Sequence, residues 1–483
     1  MACRGLPRIG FAGPTCKFDE GIFSALNLWF CGPGRLGLVE ISGISSIHQP
    51  PAALSSARIS PGNHSDWIFA GTRSHYVCEQ KYMSSQRLYY FDNNATTRVA
   101  PEVLEAMLPF LTEQWGNPSS AYSFGHDQGR SLDQARLRVA EMINAEPREL
   151  IFTSCATESI NSAIHSALLT RPERRQIVTT AVEHSATLKF CAFLQKQGCE
   201  VTILPVDSNG ALDLQQLEQA VGPNTAIVSI MLANNETGML FPIEQIAEIC
   251  RSKGVLFHTD AVQAPGKLPI DVKQLGADFV SLSAHKLHAP KGIGALYVKR
   301  HTKYQPYIVG GGQERGRRGG TENVANIVAF GRAAELAMAN LKEERIRVRA
   351  LRDRLEGEIL QRVPETSRNG AVEPRLPNTS NLSFRGVEAE GILMLLDQAN
   401  VCASSGSACT TGSLDPSHVL TAMGCSATRA RASIRFSLGI YNTAEEIDYL
   451  LECLPKIIGK LRANAPVEEL SFDQVNLGCL DQR

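Results

Sequence analysis

Lys286 closes the stretch Ser281-Leu282-Ser283-Ala284-His285-Lys286, which follows an apolar run, Ala277-Asp278-Phe279-Val280, with the character of a buried strand. A second apolar run, Gly254-Val255-Leu256-Phe257, ends in His258-Thr259-Asp260-Ala261-Val262-Gln263. An acid at the end of one strand and a lysine after the next can meet across the edge of one sheet. That pair suits pyridoxal phosphate. The amine condenses with the aldehyde, and the carboxylate keeps the pyridine nitrogen protonated so that the ring withdraws electrons. Most lysines are solvated surface charges, so the rest of the chain has to decide.

Three further stretches bear on such a cofactor. Ser154-Cys155-Ala156-Thr157-Glu158-Ser159 follows a strand and opens a helix. Backbone N–H groups at a helix start bind phosphate, although the same residues also make a plain N-cap. Ser283 and His285 flank the lysine and can reach the same phosphate. Val182-Glu183-His184-Ser185 puts a histidine after a strand, where it can stack on a flat ring or serve only structure. Gly310 to Thr321 is a Gly- and Arg-rich loop, either a solvated turn or a flexible source of donors to a site, its own or one across a dimer interface.

Cys409 lies in Ala403-Ser404-Ser405-Gly406-Ser407-Ala408-Cys409-Thr410-Thr411-Gly412-Ser413. Cysteine usually behaves as a small buried apolar residue. Among Gly, Ser and Thr, with no apolar period, this thiol is accessible on a mobile loop, and its thiolate character decides whether it attacks anything.

Alternating elements must position these groups. Strand-like runs at Leu150–Phe152, Ile177–Thr180, Val201–Leu204, Ala226–Met231, Val255–Thr259, Phe279–Leu282 and Ala295–Val298 alternate with helical ones at Thr157–Leu169, His184–Lys196 and Ile243–Lys253. That spacing means a mostly parallel sheet covered on both faces, with ligands at the carboxyl ends of its strands. Helices are expected before it at Pro101–Trp115 and Gly129–Ala145, and a long charged one after it at Asn323–Arg362. A smaller mixed unit follows, with strands Leu382–Phe384, Cys402–Ser404 and Ser433–Phe436 and helices Gly391–Gln398, Pro416–Met423 and Ala444–Ala463. It is expected to pack beside the first helix.

The 483 residues, 43% hydrophobic and 20% charged with net charge −1, describe an ordinary globular chain of two or three domains. This balance gives no electrostatic reason to expect nucleic acid, and no apolar stretch is long enough to cross a bilayer. Thirteen scattered cysteines without a C-x-x-C pair argue against a disulfide scaffold or structural zinc and for a reducing, cytoplasmic setting. Residues 1–82 show no helical or strand period. Their Gly32-Pro33-Gly34-Arg35-Leu36-Gly37 fits G-x-G-x-x-G but has proline in the turn and no amphipathic helix after it, so it carries no dinucleotide reading. This segment reads as a disordered extension or as translated upstream sequence ahead of Met83.

Residues 88 to about 460 resemble a cysteine desulfurase of the NifS and IscS kind, within the class-V pyridoxal-phosphate-dependent aminotransferases. The resemblance runs through Asp92-Asn93-Asn94-Ala95-Thr96-Thr97, Asn117-Pro118-Ser119-Ser120, Asn234-Asn235-Glu236-Thr237-Gly238 and Asp260 to Gln263. It continues through His285-Lys286, Gly319-Gly320-Thr321-Glu322-Asn323, the Cys409 loop and Ser433-Ile434-Arg435-Phe436-Ser437. Lys286-Leu287-His288-Ala289-Pro290 and Ser417-His418-Val419-Leu420 are similar to NifS rather than IscS, and Ala284 stands where the family usually has glycine.

The resemblance implies a fold-type I pyridoxal-phosphate enzyme with a mostly parallel seven-stranded sheet and a smaller α+β C-terminal domain. It divides the chain into an extension (1–87), an arm (88–103), a large cofactor-binding domain (104–335), a small domain (336–465) with a mobile catalytic loop (403–415), and a tail (466–483). It implies that Lys286 bonds the aldehyde, Asp260 the ring nitrogen and Gln263 the ring hydroxyl oxygen, while His184 stacks on the ring and shuttles protons. Ala156, Thr157, Ser283 and His285 would hold the phosphate, with Thr321 arriving from a partner subunit. Asn235 and Arg435 would take the substrate carboxylate. Cys409 would take sulfur from L-cysteine as a persulfide, leaving L-alanine, and pass it to an iron–sulfur scaffold or another acceptor protein, touching a nascent cluster as it does so. The implied assembly is a cytoplasmic homodimer. Another lyase or aminotransferase of this fold would keep Lys286 and Asp260 without needing Cys409, and a silent assembly platform would need neither.

Overall fold

The computed structural model describes residues 87–406 and 415–464. Its strands are β1 (Tyr89–Tyr90), β2 (Leu150–Thr153), β3 (Gln176–Thr180), β4 (Glu200–Leu204), β5 (Thr225–Ser229), β6 (Leu256–Asp260), β7 (Phe279–Ser283), β8 (Gly294–Val298), β9 (Thr366–Arg368), β10 (Thr379–Phe384), β11 (Val401–Cys402) and β12 (Ser433–Ser437). Seven of them form one sheet in the order β2-β8-β7-β6-β5-β3-β4. Within it β8 runs antiparallel to both neighbours, and the other adjacent pairs are parallel.

Side chains alternate across a strand, and here the alternation divides two cores. Ile177, Ile227, Leu256, Phe279 and Leu296 join one face, under Ile160, Ile164 and Ala167 of the helix Ala156–Thr170. Their neighbours Val178, Val228, Phe257, Val280 and Ala295 join the other, under the helices Ser123–Met142 and Ile243–Ser252 and the start of Val324–Arg362. A sheet buried on both faces explains why its strands read as unbroken apolar runs. Gly331 lets the long helix lie against Ser123–Met142, because a Cβ there would sit 2.6 Å from the Cα of Ala135.

The 39-residue helix Val324–Arg362 serves two cores. Val324 to Ala334 belong to the sheet core, while Val348, Leu355 and Ile359 join a separate cluster with Phe91, Leu382, Phe384, Ile434, Phe436 and Leu450. That second core lies on an antiparallel sheet of order β12-β10-β9, and β1 pairs in parallel with β11. No described helix is long and apolar enough to cross a membrane.

The structure corrects several expectations. Pro101–Trp115 is not one helix: Pro109 lacks the N–H that would continue the ladder, so the helix ends at Met107 and a short turn, Pro109–Thr112, follows. Its buried Val103 and Met107 join the large sheet core, and Phe91 of the preceding arm enters the second core. The helix expected at Gly129 begins at Ser123. The expected strand Cys402–Ser404 is Val401–Cys402, with Ser404 forming a lone bridge to Arg435. Leu214–Ala220, Ala427–Arg431 and β9 are additional elements.

Candidate active site

The carboxyl ends of β2, β3, β5, β6 and β7 open into one cleft of about 300 Å³, lined among others by Ala156, Thr157, His184, Asn235, Asp260, Gln263, Ser283, His285, Lys286 and Arg435. Asp260 is the last residue of β6, and Lys286 ends a 3₁₀ turn, Ala284–Lys286, that leaves β7. The two strands are neighbours with Asp260 opposite Ser281, so the expected meeting of acid and amine follows from strand register. Ala284 starts that turn fully buried at 0% exposure, so its methyl group fits where glycine was expected.

Lys286 Nζ donates to the carbonyl oxygens of Asn94 at 2.5 Å and Ala95 at 2.6 Å. Asp260 Oδ1 accepts from the Val262 N–H at 2.9 Å. Burial raises the Asp260 carboxyl above its usual range, while the Val262 bond, His184 and Lys286 pull it back. A protonated ring nitrogen would be a further cation favouring its charged form. Gln263 Nε2 donates to the Asn94 carbonyl at 3.0 Å, and Gln263 Oε1 accepts from Lys267 at 3.0 Å.

His184 is the N-cap of Ser185–Lys196, its Nδ1 accepting from the Ala186 N–H at 3.1 Å. In the neutral ring, the proton is thereby assigned to Nε2. His285 Nδ1 meets Thr96 Oγ1 at 3.1 Å, and burial, reinforced by Lys286, holds the ring down to about 4. It is therefore a neutral partner at neutral pH. At the start of Ala156–Thr170, Glu158 Oε2 accepts the Ser154 N–H at 2.8 Å, and Arg318 pairs with Glu158 at 3.0 Å. The first-turn N–H groups beyond it, at Ala156 and Thr157, have no intrahelical acceptor and border the cleft.

Arg435 enters from β12 and is 2% exposed. Its Nη2 donates to Asp92 at 2.6 Å and Nη1 to the Asn235 carbonyl at 3.2 Å, leaving Nε without a partner among the described residues. Arg435 borders the cleft, and each of its Nη groups keeps a second hydrogen with which to meet an anion. The amine, the buried acid, the helix start and this arginine together fit pyridoxal phosphate and an amino-acid carboxylate.

Two expected participants stand apart. Thr321 is exposed and does not line this chain's cleft. Cys409, with every role assigned to it, lies outside the described residues. The Gly310–Thr321 loop is not a flexible supplier of basic groups to this cleft. Glu314 is buried in a two-bond pair with Arg136, at 2.6 and 2.8 Å, and also accepts the Phe152 N–H at 3.0 Å. Arg315 and Arg317 donate to the Leu150 carbonyl.

Sequence reasoning missed part of the frame. Asn94 receives Lys286 and Gln263 on its carbonyl and reaches the Asn235 carbonyl and Thr379 with its side chain. Glu183 is buried, and burial pushes its carboxyl up to about 8; Oε1 accepts from Thr180 and the Met231 N–H, while Oε2 has no partner among the described residues. Behind the site His258 spans Ser229 and Ser281, both at 2.8 Å, kept neutral by burial at about 3. Their positions inside quoted motifs were the only available signal.

Residues 89–450 match the family model described as aminotransferase class-V. The chain is 54% identical over 377 residues to "Cysteine desulfurase 2" of Trichormus variabilis, covering 78% of this chain and 94% of that protein. It is 51% identical over 388 residues to "Cysteine desulfurase NifS" of Azotobacter vinelandii, covering 79% and 96%. A solved structure described as a NifS-like protein superposes with a TM-score of 0.73 at 40% identity, covering 77% of this chain and all of that one. The chain belongs to the aminotransferase class-V family and, within it, to the pyridoxal-phosphate-dependent cysteine desulfurases.

Proposed function

We propose that this chain takes the sulfur from L-cysteine onto Cys409, giving L-alanine and a Cys409 persulfide for delivery to an acceptor protein. The observation that carries the reading is convergence. An amine, a buried acid, a capping histidine and a half-satisfied arginine meet in one cleft from positions 184 to 435.

Pyridoxal phosphate, held by the N–H groups of Ala156 and Thr157 with Ser283 and His285, supplies the electron withdrawal that weakens bonds at the substrate Cα and Cβ. Asp260 keeps the proton on the ring nitrogen, and Gln263 donates to the ring hydroxyl oxygen. Arg435 and Asn235 hold the substrate carboxylate, and the Arg435 guanidinium, already fixed by Asp92, keeps a second hydrogen on each Nη for it. The Lys286 amine takes the Cα proton. His184, with Nδ1 committed to its helix, exchanges protons through Nε2. The Cys409 thiolate attacks the substrate sulfur as the carbon–sulfur bond breaks, so the carbon skeleton leaves as alanine and one S–S bond forms.

Thr321 completes the phosphate site of a second copy in a homodimer. Exposed Leu104 on the first helix, Leu108 and Leu111 at the turn after it and Trp115 beyond are apolar surface that a second copy would cover. The acceptor is an iron–sulfur scaffold or another thiol protein, in the reducing cytoplasm that thirteen cysteines without scaffold spacing suit.

Alanine release from cysteine without added thiol tests the reading. Cys409→Ser should lose at least ~100-fold and Lys286→Ala ~1,000-fold or more. Undiminished alanine output from Cys409→Ser would overturn it. Sedimentation should give twice the 52.6 kDa chain mass.

A further inference from the structure

Lys267 is a half-buried lysine whose amine the reaction above leaves unused. It closes the turn after Gln263, its N–H donating to the Ala264 carbonyl at 3.0 Å. The turn brings Nζ back onto Gln263, 3.0 Å from Oε1 and 3.1 Å from the backbone carbonyl. The other end of that amide, Nε2, donates to the Asn94 carbonyl at 3.0 Å, and Lys286 Nζ donates to the same oxygen at 2.5 Å. One hydrogen-bonded chain thus links Lys267, Gln263, Asn94 and Lys286.

A glutamine amide can turn over and exchange its oxygen and nitrogen, whereas an ammonium only donates. With Lys267 against it, the turned amide would set N–H₂ against N–H₃⁺. Lys267 therefore selects the orientation with oxygen inward and N–H₂ toward Asn94. Nε2 carries two hydrogens; Asn94 takes one, and Gln263 borders the cleft with the other.

The charges facing Lys267 are Lys286, Arg435, His285 and His288, with Glu344 and Arg345 across a second cavity behind Lys286. No carboxylate pairs with Lys267 among the described residues. Burial first, then Lys286 and Arg435, hold its ammonium down to about 7.

We propose that Lys267 is a positioning residue: acting through Gln263, it aims an amide N–H at the ring hydroxyl oxygen of pyridoxal phosphate and tunes the proton affinity of the nitrogen that Lys286 contributes. This rests on the reading that Lys286 and Gln263 meet the cofactor. A donor at that oxygen weakens its hold on a shared proton, and a cation nearby disfavours protonation further. Losing Lys267 removes both effects, so the nitrogen holds its proton to higher pH.

The test uses the full chain loaded with pyridoxal phosphate, titrating its visible absorbance against pH, with cofactor affinity measured by reloading the stripped protein. Lys267→Met should raise the titration midpoint by ~1 unit and weaken cofactor binding ~10-fold. Lys267→Arg, which keeps charge and donors, should stay nearer the unmodified protein. Lys267→Met on top of Gln263→Ala should shift the midpoint by clearly less than Lys267→Met alone, because the part carried by that amide is already lost. Thermal melts establish that each variant folds, and Lys267→Gln provides a polar replacement should methionine prevent folding. An unchanged midpoint and affinity in Lys267→Met or Lys267→Gln, or an equal shift in the Gln263→Ala background, overturns the proposal. A failed underlying reading looks different: the unmodified protein would show no visible absorbance that depends on Lys286.

Discussion

In the Gly310–Thr321 loop, Glu314 takes two bonds from Arg136 and one from the Phe152 N–H, and Arg318 is locked onto Glu158. In the cleft, by contrast, Lys286 donates to backbone carbonyls, Asp260 is held uneasy by burial, and Arg435 keeps a nitrogen without a partner among the described residues. Both regions are rich in charge in the sequence. The loop's charges are taken up outside it, by Arg136, Glu158 and the Leu150 carbonyl, and fasten the chain to β2. In the cleft the Asp260 carboxyl is buried and held above its usual range, a cost that a cationic ligand group can relieve.

The strongest way to break this contrast is Asp260→Asn. It keeps the shape and the Val262 bond but removes the charge. Alanine formation should fall ~1,000-fold. The melting temperature without cofactor should hold or rise, because a buried charge is lost. A variant that turned over normally but melted early would place Asp260 with the loop's structural charges.

Glu314→Ala is the opposite experiment. It leaves Arg136 buried and unpaired, for about 4 kcal/mol of destabilisation read by denaturant unfolding. Turnover of the folded fraction should change less than about tenfold. A thousandfold loss of turnover at unchanged stability would give the loop a catalytic role.

Most of the cleft could be read from sequence because its residues follow strand ends, and a buried parallel strand announces itself as an apolar run. Asp260, Lys286 and His184 were found that way. Arg435 was not, since it lies inside β12, more than a hundred residues on, and only the family resemblance pointed to it. Lys267 and Asn94 escaped because their importance is a contact: a glutamine amide turned one way, a carbonyl shared by two donors. Residue type carries no trace of either. The loop's arginines announce charge without disclosing where it goes: Arg318 to Glu158, and Arg315 and Arg317 to the Leu150 carbonyl. Pro101–Trp115 reads as one helix from its first-turn proline, but Pro109 has no N–H to continue the ladder and the helix stops at Met107.

Glu183 tests the contrast within the cleft itself. Its carboxyl is raised by burial from 4.5 to about 8, so the folded chain binds a proton the unfolded chain releases. Stability from this group is intact below pH 4.5 and is lost as pH rises towards 8, about 3 kcal/mol of it by pH 7. Glu183→Gln should match the unmodified protein at pH 4.5 and exceed it at pH 8. Parallel curves for the two proteins across that window would mean that the unpartnered oxygen is satisfied in solution.

The smallest effect belongs to Gly406, where the described chain breaks off beside the cleft. Its φ of +91° favours glycine, and a Cβ there would stand 2.5 Å from Glu236 Oε2. The same oxygen accepts from Ser417 Oγ at 2.5 Å, and Ser417 caps the helix His418–Ala422 where the described chain resumes. One buried carboxyl group thus touches both flanks of residues 407–414. Gly406→Ala should displace it, costing about 2 kcal/mol from strain and the lost contact. Because Asp260 and Lys286 are untouched, the cysteine-dependent absorbance change should survive while alanine release slows. Equal loss of both signals would show instead that the substitution had reached the charged cleft, and the distinction between its fixed walls and the flanks beside Glu236 would fail.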